Sequence, residues 1–168
     1  DMIQNDHIKK PIKTYNEYGQ LIFNSTSNML ELINDLLDAA KIESGKFSIF
    51  PEPEDIKDTI NEVIKLLKPK VSGVGMKLNT VFADNLPTTV LFDKTRINQV
   101  VMNLLSNAIK FNKPEGTIQI QVLLHHSGTS ISEEAKNSKI PWLLKKEDQH
   151  ISSQPDGLVV AVTDTGIG

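Results

Sequence analysis

Two amides and a carboxylate carry the chemistry that this sequence offers. In NQVVMNLLSNAIKFNK, residues 98–113, Asn103 and Asn107 stand one helical turn apart. Lys110 falls on the same stripe, and Phe111 lies between that stripe and the apolar one. Asn is a poor helix former, so two of them in mid-helix need a reason. Amide oxygens are hard ligands suited to Mg²⁺, an ion that keeps several waters and bridges to the phosphates of a substrate. Lys110 offers positive charge to a phosphate. Taken alone, the Asn pair also fits a solvated helix face. At the far end, DTGIG, residues 164–168, sets Asp164 after an apolar strand and before Gly166 and Gly168. A carboxylate there accepts a hydrogen bond from an exocyclic amine, the group by which adenine differs from guanine at that edge. The glycines let backbone approach a ligand closely. A plain strand-to-loop turn is the bland alternative. The G-x-G-x-x-G spacing of a dinucleotide fingerprint is not present.

These groups need elements to hold them. A helix is expected over about 93–111, capped by Asp93, with Ile97, Val100, Val101, Leu104, Leu105 and Ala108 as its buried stripe. Strands are expected over 76–83, 117–124 and 158–163, with a short β-rich run at 89–92. Leu158 to Val162 is continuously apolar, as in a strand buried on both faces. A second helix over 56–68 carries Ile56, Ile60, Val63, Ile64 and Leu67 on one face, with Asp55 as cap and Pro69 as its end. Further upstream, 21–44 reads as a long helix. Its stripe of Ile22, Met29, Ile33, Leu36 and Ala40, widened by Leu30 and Leu37, stops at Gly45. Such a helix is not stable alone in water and must pair with another, in this chain or in a second copy. Residues 1–19, with Pro11 and Gly19, read as a loop or a frayed helix end. Residues 47–54 read as an extended linker with a short edge strand. Residues 127–155 are polar and rich in Ser, Lys and Glu, and read as a mobile surface insertion with Trp142 and Leu143 as a local anchor. His125 and His126 read as strand-end histidines rather than metal ligands, since neighbours on a strand point to opposite faces.

The totals narrow the classes. A chain of 168 residues has room for one core-bearing domain and an appendage. A net charge of −3 does not point to a basic nucleic-acid binder. No apolar run approaches the ~20 residues of a membrane span. Without cysteine there are no disulfides or thiolate metal sites. The elements give an α+β class, a long helix followed by a mixed domain of helices and strands.

Three segments together resemble a sensor histidine kinase. LINDLLDAAKIESGKF (32–47) is similar to the second helix of the dimerisation and phosphoacceptor hairpin. DKTRINQVVMNLLSNAIKFNKPEG (93–116) is similar to the asparagine box, and DTGIG to the first glycine box. The resemblance covers roughly residues 15–168 apart from the insertion. It implies a long dimerisation helix followed by an incomplete two-layer α/β sandwich, the ATP-binding fold shared with gyrase, the Hsp90 chaperones and MutL. It implies a partial dimerisation and phosphoacceptor region at 1–46, a linker at 47–54, and the N-terminal part of an ATP-binding domain at 55–168 with the insertion at about 127–155. It further implies ATP and Mg²⁺ as cofactors, a homodimer through the helical hairpin, and phosphoryl transfer from a histidine to an aspartate on a response-regulator receiver domain. By that resemblance Asn107 is the leading Mg²⁺ ligand and Asn103 its neighbour. Lys110 contacts phosphate, Phe111 packs on adenine, Asp164 binds the adenine amine, and Gly166 and Gly168 shape the loop. No catalytic residue is assigned. The phosphoacceptor box is not found, and His7-Ile8-Lys9-Lys10-Pro11 lacks the acidic residue that should follow the histidine. The sequence therefore reads as a piece of a longer protein, binding ATP weakly and unable to phosphorylate itself. Its place is expected at the cytoplasmic face, with any membrane anchor in parts outside it. A degenerate dimeric scaffold is one alternative. Another ATPase of the same fold is a second, against which the 32–47 helix argues.

Overall fold

The computed structural model describes residues 12–141 and 152–166. His7, Trp142, Leu143 and Gly168 lie outside them. Two compact units divide between Ser48 and Ile49.

The first unit is one helix, α1, Ile12–Glu43. It begins earlier than the pattern suggests, because Gly19 sits inside the helix rather than breaking it. A single glycine costs a helix about 1 kcal/mol, and a run of 32 residues tolerates that. The end is where the sequence places it. Gly45 takes φ of +67°, and the Lys46 N–H turns back to the Lys41 carbonyl at 2.8 Å, closing the helix as a left-handed glycine does. The apolar side chains of α1, among them Ile22, Met29, Leu30, Ile33, Leu36 and Leu37, are exposed.

In the second unit, β1 (Glu52–Glu54) pairs antiparallel with β3 (Val90–Phe92). A second sheet runs β2 (Lys77–Phe82), β4 (Thr117–His125), β5 (Gly157–Asp164). In it β2 is parallel and β5 antiparallel to the central β4. Helices α2 (Ile56–Gly73) and α3 (Lys94–Lys110) pack on one face. Ile56, Ile60, Val63, Leu67 and Val71 of α2 meet Val101, Leu105, Ala108 and Ile109 of α3 over Ile118, Ile120 and Val122 of β4. Asp55 caps α2 by accepting the Lys57 and Asp58 N–H groups at 2.7 and 3.3 Å. Lys94 and Glu62 join α3 to α2 at 2.8 Å, and this partner raises the Lys94 pKa.

Several expectations are corrected here. Pro69 does not end α2, which continues to Gly73 and buries Val71. Pro69 and Lys65 are both exposed, so the carbonyl deprived of its N–H partner lies on the solvent side. Val100 and Leu104 are not in the buried stripe of α3; they are 54% and 43% exposed. The stripe is centred instead on Val101, Leu105, Ala108 and Ile109. At 100° per residue, Leu104, Phe111, Val100 and Asn107 lie roughly 80–140° round from its centre. Along β5 the residues before Asp164 are half-buried rather than fully buried, since among the described residues only β4 pairs with it.

The inserted segment is also more than a surface loop. Its helix α4, Ile131–Asn137, lies on the other face of the sheet. Ile131, Ala135 and Ile140 form a second core with Ala83 and Leu123. Gln121, on that face of β4, is only 1% exposed and donates from Nε2 to the Pro141 carbonyl at 2.7 Å.

Candidate nucleotide-binding site

The C-terminal end of α3 is held by its sequence. Asp93 accepts the Arg96 N–H at 3.1 Å as N-cap, and its other oxygen accepts the Phe50 N–H at 3.0 Å. These bonds, that from Phe50 foremost, hold the Asp93 carboxyl below its ordinary pKa. Val101, Leu105 and Ala108 then lock the rotation of the helix against the sheet. With the rotation set, Asn103, Asn107, Lys110 and Phe111 are all exposed. The Lys110 ammonium stands 5.0 Å from the centre of the Phe111 ring, within cation–π range. Phe111 closes the helix with its N–H on the Asn107 carbonyl at 2.9 Å.

Asp164 ends β5 opposite Ile118 and is exposed. Its Oδ1 accepts the Gly166 N–H at 2.7 Å, which folds the chain into a tight turn. Gly166 lies directly against the end of α3. A Cβ on it would stand 2.5 Å from the Phe111 carbonyl oxygen and 2.7 Å from Asp164 Oδ1. The structure thus brings Phe111, Asp164 and Gly166 together at one edge of the sheet. Lys110 is beside Phe111. Asn107 and Asn103 follow about one and two turns back along the helix, on the side bearing Leu104 and Val100. Gly168 lies outside the described residues.

Donor chemistry at this edge fits a magnesium nucleotide. Neither Asn103 nor Asn107 has a side-chain hydrogen bond among the described residues, so both amides are free to serve a ligand. Among the described residues no group of three His, Cys, Asp or Glu side chains gathers to hold a metal. An ion here would therefore rest on amide oxygens, phosphates and water, the setting that Mg²⁺ favours.

Sequence reasoning passed over Asn112, Thr117 and Thr165, which join the two motifs. Thr165 Oγ1 accepts the Thr117 N–H at 2.9 Å and donates to Asn112 Oδ1 at 3.1 Å. The Thr165 N–H returns to the Thr117 carbonyl at 3.2 Å. Asn112 Nδ2 donates to that same carbonyl at 3.3 Å. Nothing local marks these residues, because the partners are 48 and 53 positions apart. Asn98 was also missed. Its Oδ1 is buried and has no partner among the described residues. The His125–His126 pair has a different role from a metal site. Glu134 of α4, itself buried, holds His125 Nδ1 at 3.0 Å and His126 Nδ1 at 3.3 Å, and accepts the His126 N–H. Both rings reach one carboxylate because β4 ends at His125, so the alternation of a strand no longer separates them.

An α+β domain with a helix-borne amide pair beside a glycine turn, preceded by a long helix, is the arrangement of a sensor histidine kinase, and this chain is a relative of those proteins. The hybrid signal transduction histidine kinase L of Dictyostelium discoideum is 35% identical over 108 residues, 64% of this chain and 6% of that protein. The cell-division control histidine kinase PdhS of Brucella suis is 36% identical over 114 residues, 68% of this chain and 11% of that one. Full-length ShkA, solved in complex with AMPPNP, superposes with a TM-score of 0.55 at 26% identity, over 64% of this chain and 23% of ShkA. The chain thus spans a small part of the curated relatives it matches. No family model matches it.

Proposed function

We propose that this chain is the dimerising and ATP-binding part of a histidine kinase of a two-component system. The observation that carries the reading is the seat of Gly166 on the Phe111 carbonyl, which sets the Asp164 carboxylate beside the end of the amide-bearing helix. Asp164 receives the adenine amine on the oxygen that Gly166 leaves free. Phe111 packs on the purine, and Val100 and Leu104 add exposed apolar surface beside it. Asn107, with Asn103 next to it, holds the metal through amide oxygens, and Lys110 faces phosphate. Gly168 continues the loop. Mg²⁺, when bound, neutralises charge on the phosphates. The residues named bind and orient the nucleotide, so that catalysis is mainly positioning. That ShkA was solved in complex with AMPPNP supports a nucleotide as the ligand of this chain.

In the reaction proposed, a histidine imidazole nitrogen attacks the γ-phosphorus of ATP and the bond to ADP breaks. The phosphoryl group then passes to an aspartate carboxylate on a receiver domain. No histidine of this chain is assigned that role. The exposed stripe of α1 is proposed to pair with a second copy, since so broad an apolar face needs a partner. Residues 1–46 would form the dimerising region, 47–54 the linker and 55–168 the nucleotide domain.

The test is titration of the chain with Mg-ATP, followed by heteronuclear NMR. Shifts should appear at residues 103–112 and 164–166 and require Mg²⁺. Asn107→Ala should weaken binding about 10- to 100-fold, the value of a polar contact to a charged group. Unchanged affinity in that variant counts against the assignment.

A further inference from the structure

We propose that Asn112 and Thr165 form a latch that positions the Asp164 carboxylate for adenine, which makes both positioning residues for nucleotide selectivity. The inference rests on the nucleotide reading of the site. The Asn112 amide is engaged at both ends. Its oxygen accepts from the Thr165 hydroxyl at 3.1 Å and from the Lys113 N–H at 3.0 Å, while its Nδ2 donates to the Thr117 carbonyl at 3.3 Å. An amide used as both donor and acceptor has one orientation only. The Thr165 hydroxyl is likewise used twice, as acceptor from Thr117 N–H and as donor to Asn112.

This set spans three chain segments: the turn after α3, the first residue of β4 and the first residue beyond β5. Thr165 sits between Asp164 and Gly166, the two residues joined by the 2.7 Å turn bond. Movement of Thr165 therefore moves the carboxylate. Gly116 leaves the room that Asn112 needs, for a Cβ there would overlap the Asn112 side-chain oxygen and stand 2.8 Å from the Lys113 carbonyl. Any side chain at 116 would expel the amide. Distance selects adenine over guanine only if the carboxylate is held in place. A loose carboxylate accepts from any nearby donor, whereas a fixed one rejects a base whose edge offers a carbonyl instead of an amine.

Thr165→Val removes the hydroxyl with little change in shape, Thr165→Ser restores it, and Gly116→Ala displaces the Asn112 amide by contact while leaving both latch residues chemically unchanged. Affinities for Mg-ATP and Mg-GTP are measured by titration of each variant, with amide exchange at Thr117 and Gly166 followed by NMR. The expected result is an approximately 5- to 10-fold loss of Mg-ATP affinity in Thr165→Val and Gly116→Ala, with a smaller loss for Mg-GTP and faster exchange at both amides. Thr165→Ser should behave as wild type. Thr165→Val combined with Asn112→Ala should be no worse than either alone, since both open one latch. Equal losses for ATP and GTP would overturn the selectivity role. Wild-type ATP affinity in Thr165→Val, with Asn107→Ala still weakened, would overturn the latch and leave the nucleotide reading standing. Absence of nucleotide binding in wild type would overturn both, and accelerated exchange in Thr165→Val would then leave only a structural contact.

Discussion

Gly166→Ala tests the contact on which the site is built. The added Cβ would stand 2.5 Å from the Phe111 carbonyl oxygen, 3.1 Å from its carbon and 2.7 Å from Asp164 Oδ1. Non-bonded heavy atoms prefer about 3.5 Å or more, so the intrusion is near 1 Å. The obstacle is backbone rather than a flexible side-chain tip. Phe111 closes α3 and cannot retreat without loosening its bond to the Asn107 carbonyl. Overpacking of this kind costs about 1–3 kcal/mol, which for a chain of this size lowers Tm by roughly 2–12 °C. The turn must also open, because Asp164 Oδ1 lies in the path of the new methyl. Mg-ATP affinity should therefore fall along with stability. Gly73→Ala is the control. Gly73 ends α2, nothing lies within 4 Å of its Cβ position, and Ala there should be neutral or stabilising by up to about 1 kcal/mol. Thermal unfolding of the two variants beside wild type, with nucleotide titration, decides the matter. If Gly166→Ala melts with wild type and binds ATP equally well, the end of α3 and the glycine turn do not meet as described.

Two further outcomes follow from the packing. Glu134→Ala should leave His125 without its buried partner and cost about 1–3 kcal/mol, seen as loss of hydrogen-exchange protection across residues 131–140 while β2 and β4 stay protected at their far ends. Asp93 gives a pH dependence. Its pKa is lowered in the folded state, so its contribution is present above the ordinary value of 3.8 and is lost as pH falls through the folded value below that. Asp93→Asn should accordingly reduce the fall of Tm between about pH 4 and pH 2, and unchanged acid sensitivity in that variant would refute the capping role.

Element types were legible because they depend on period alone. The alternation of 117–124, the apolar run of 158–162 and the spacing of α2 each point to one kind of structure, and each forms it. The phase of a helix is harder to see. The α3 sequence has apolar residues over more than half its circumference, and both Val100–Leu104 and Val101–Leu105 satisfy a 3.6-residue repeat. Which pair is buried is decided by the sheet, whose Ile118, Ile120 and Val122 take Val101, Leu105 and Ala108. The other pair stays outside, next to the amides. With apolar residues on two adjoining stripes of α3, the buried stripe cannot be told from the exposed one by composition.

The same limit explains the missed residues. Gln121 alternates with isoleucine and valine as an outward-facing residue would, yet the segment 131–141 covers that face and a main-chain carbonyl takes its amide. Asn112 reads as a turn residue, since its partners are contributed only when β4 and β5 pair. Asp164 and Gly166 were visible because a carboxylate before glycines has few uses at a strand end. Their partner was not, since the contact falls on a main-chain carbonyl and any residue type supplies one. Side-chain chemistry therefore marks the proposed ligand contacts, and main-chain contacts at Phe111 and Thr117 mark how the end of α3, β4 and the glycine turn are kept in register. Only the first kind leaves a trace in residue type, and for that reason the glycines at 116 and 166, which register main-chain proximity by lacking a side chain, are the sequence's one indirect record of the second.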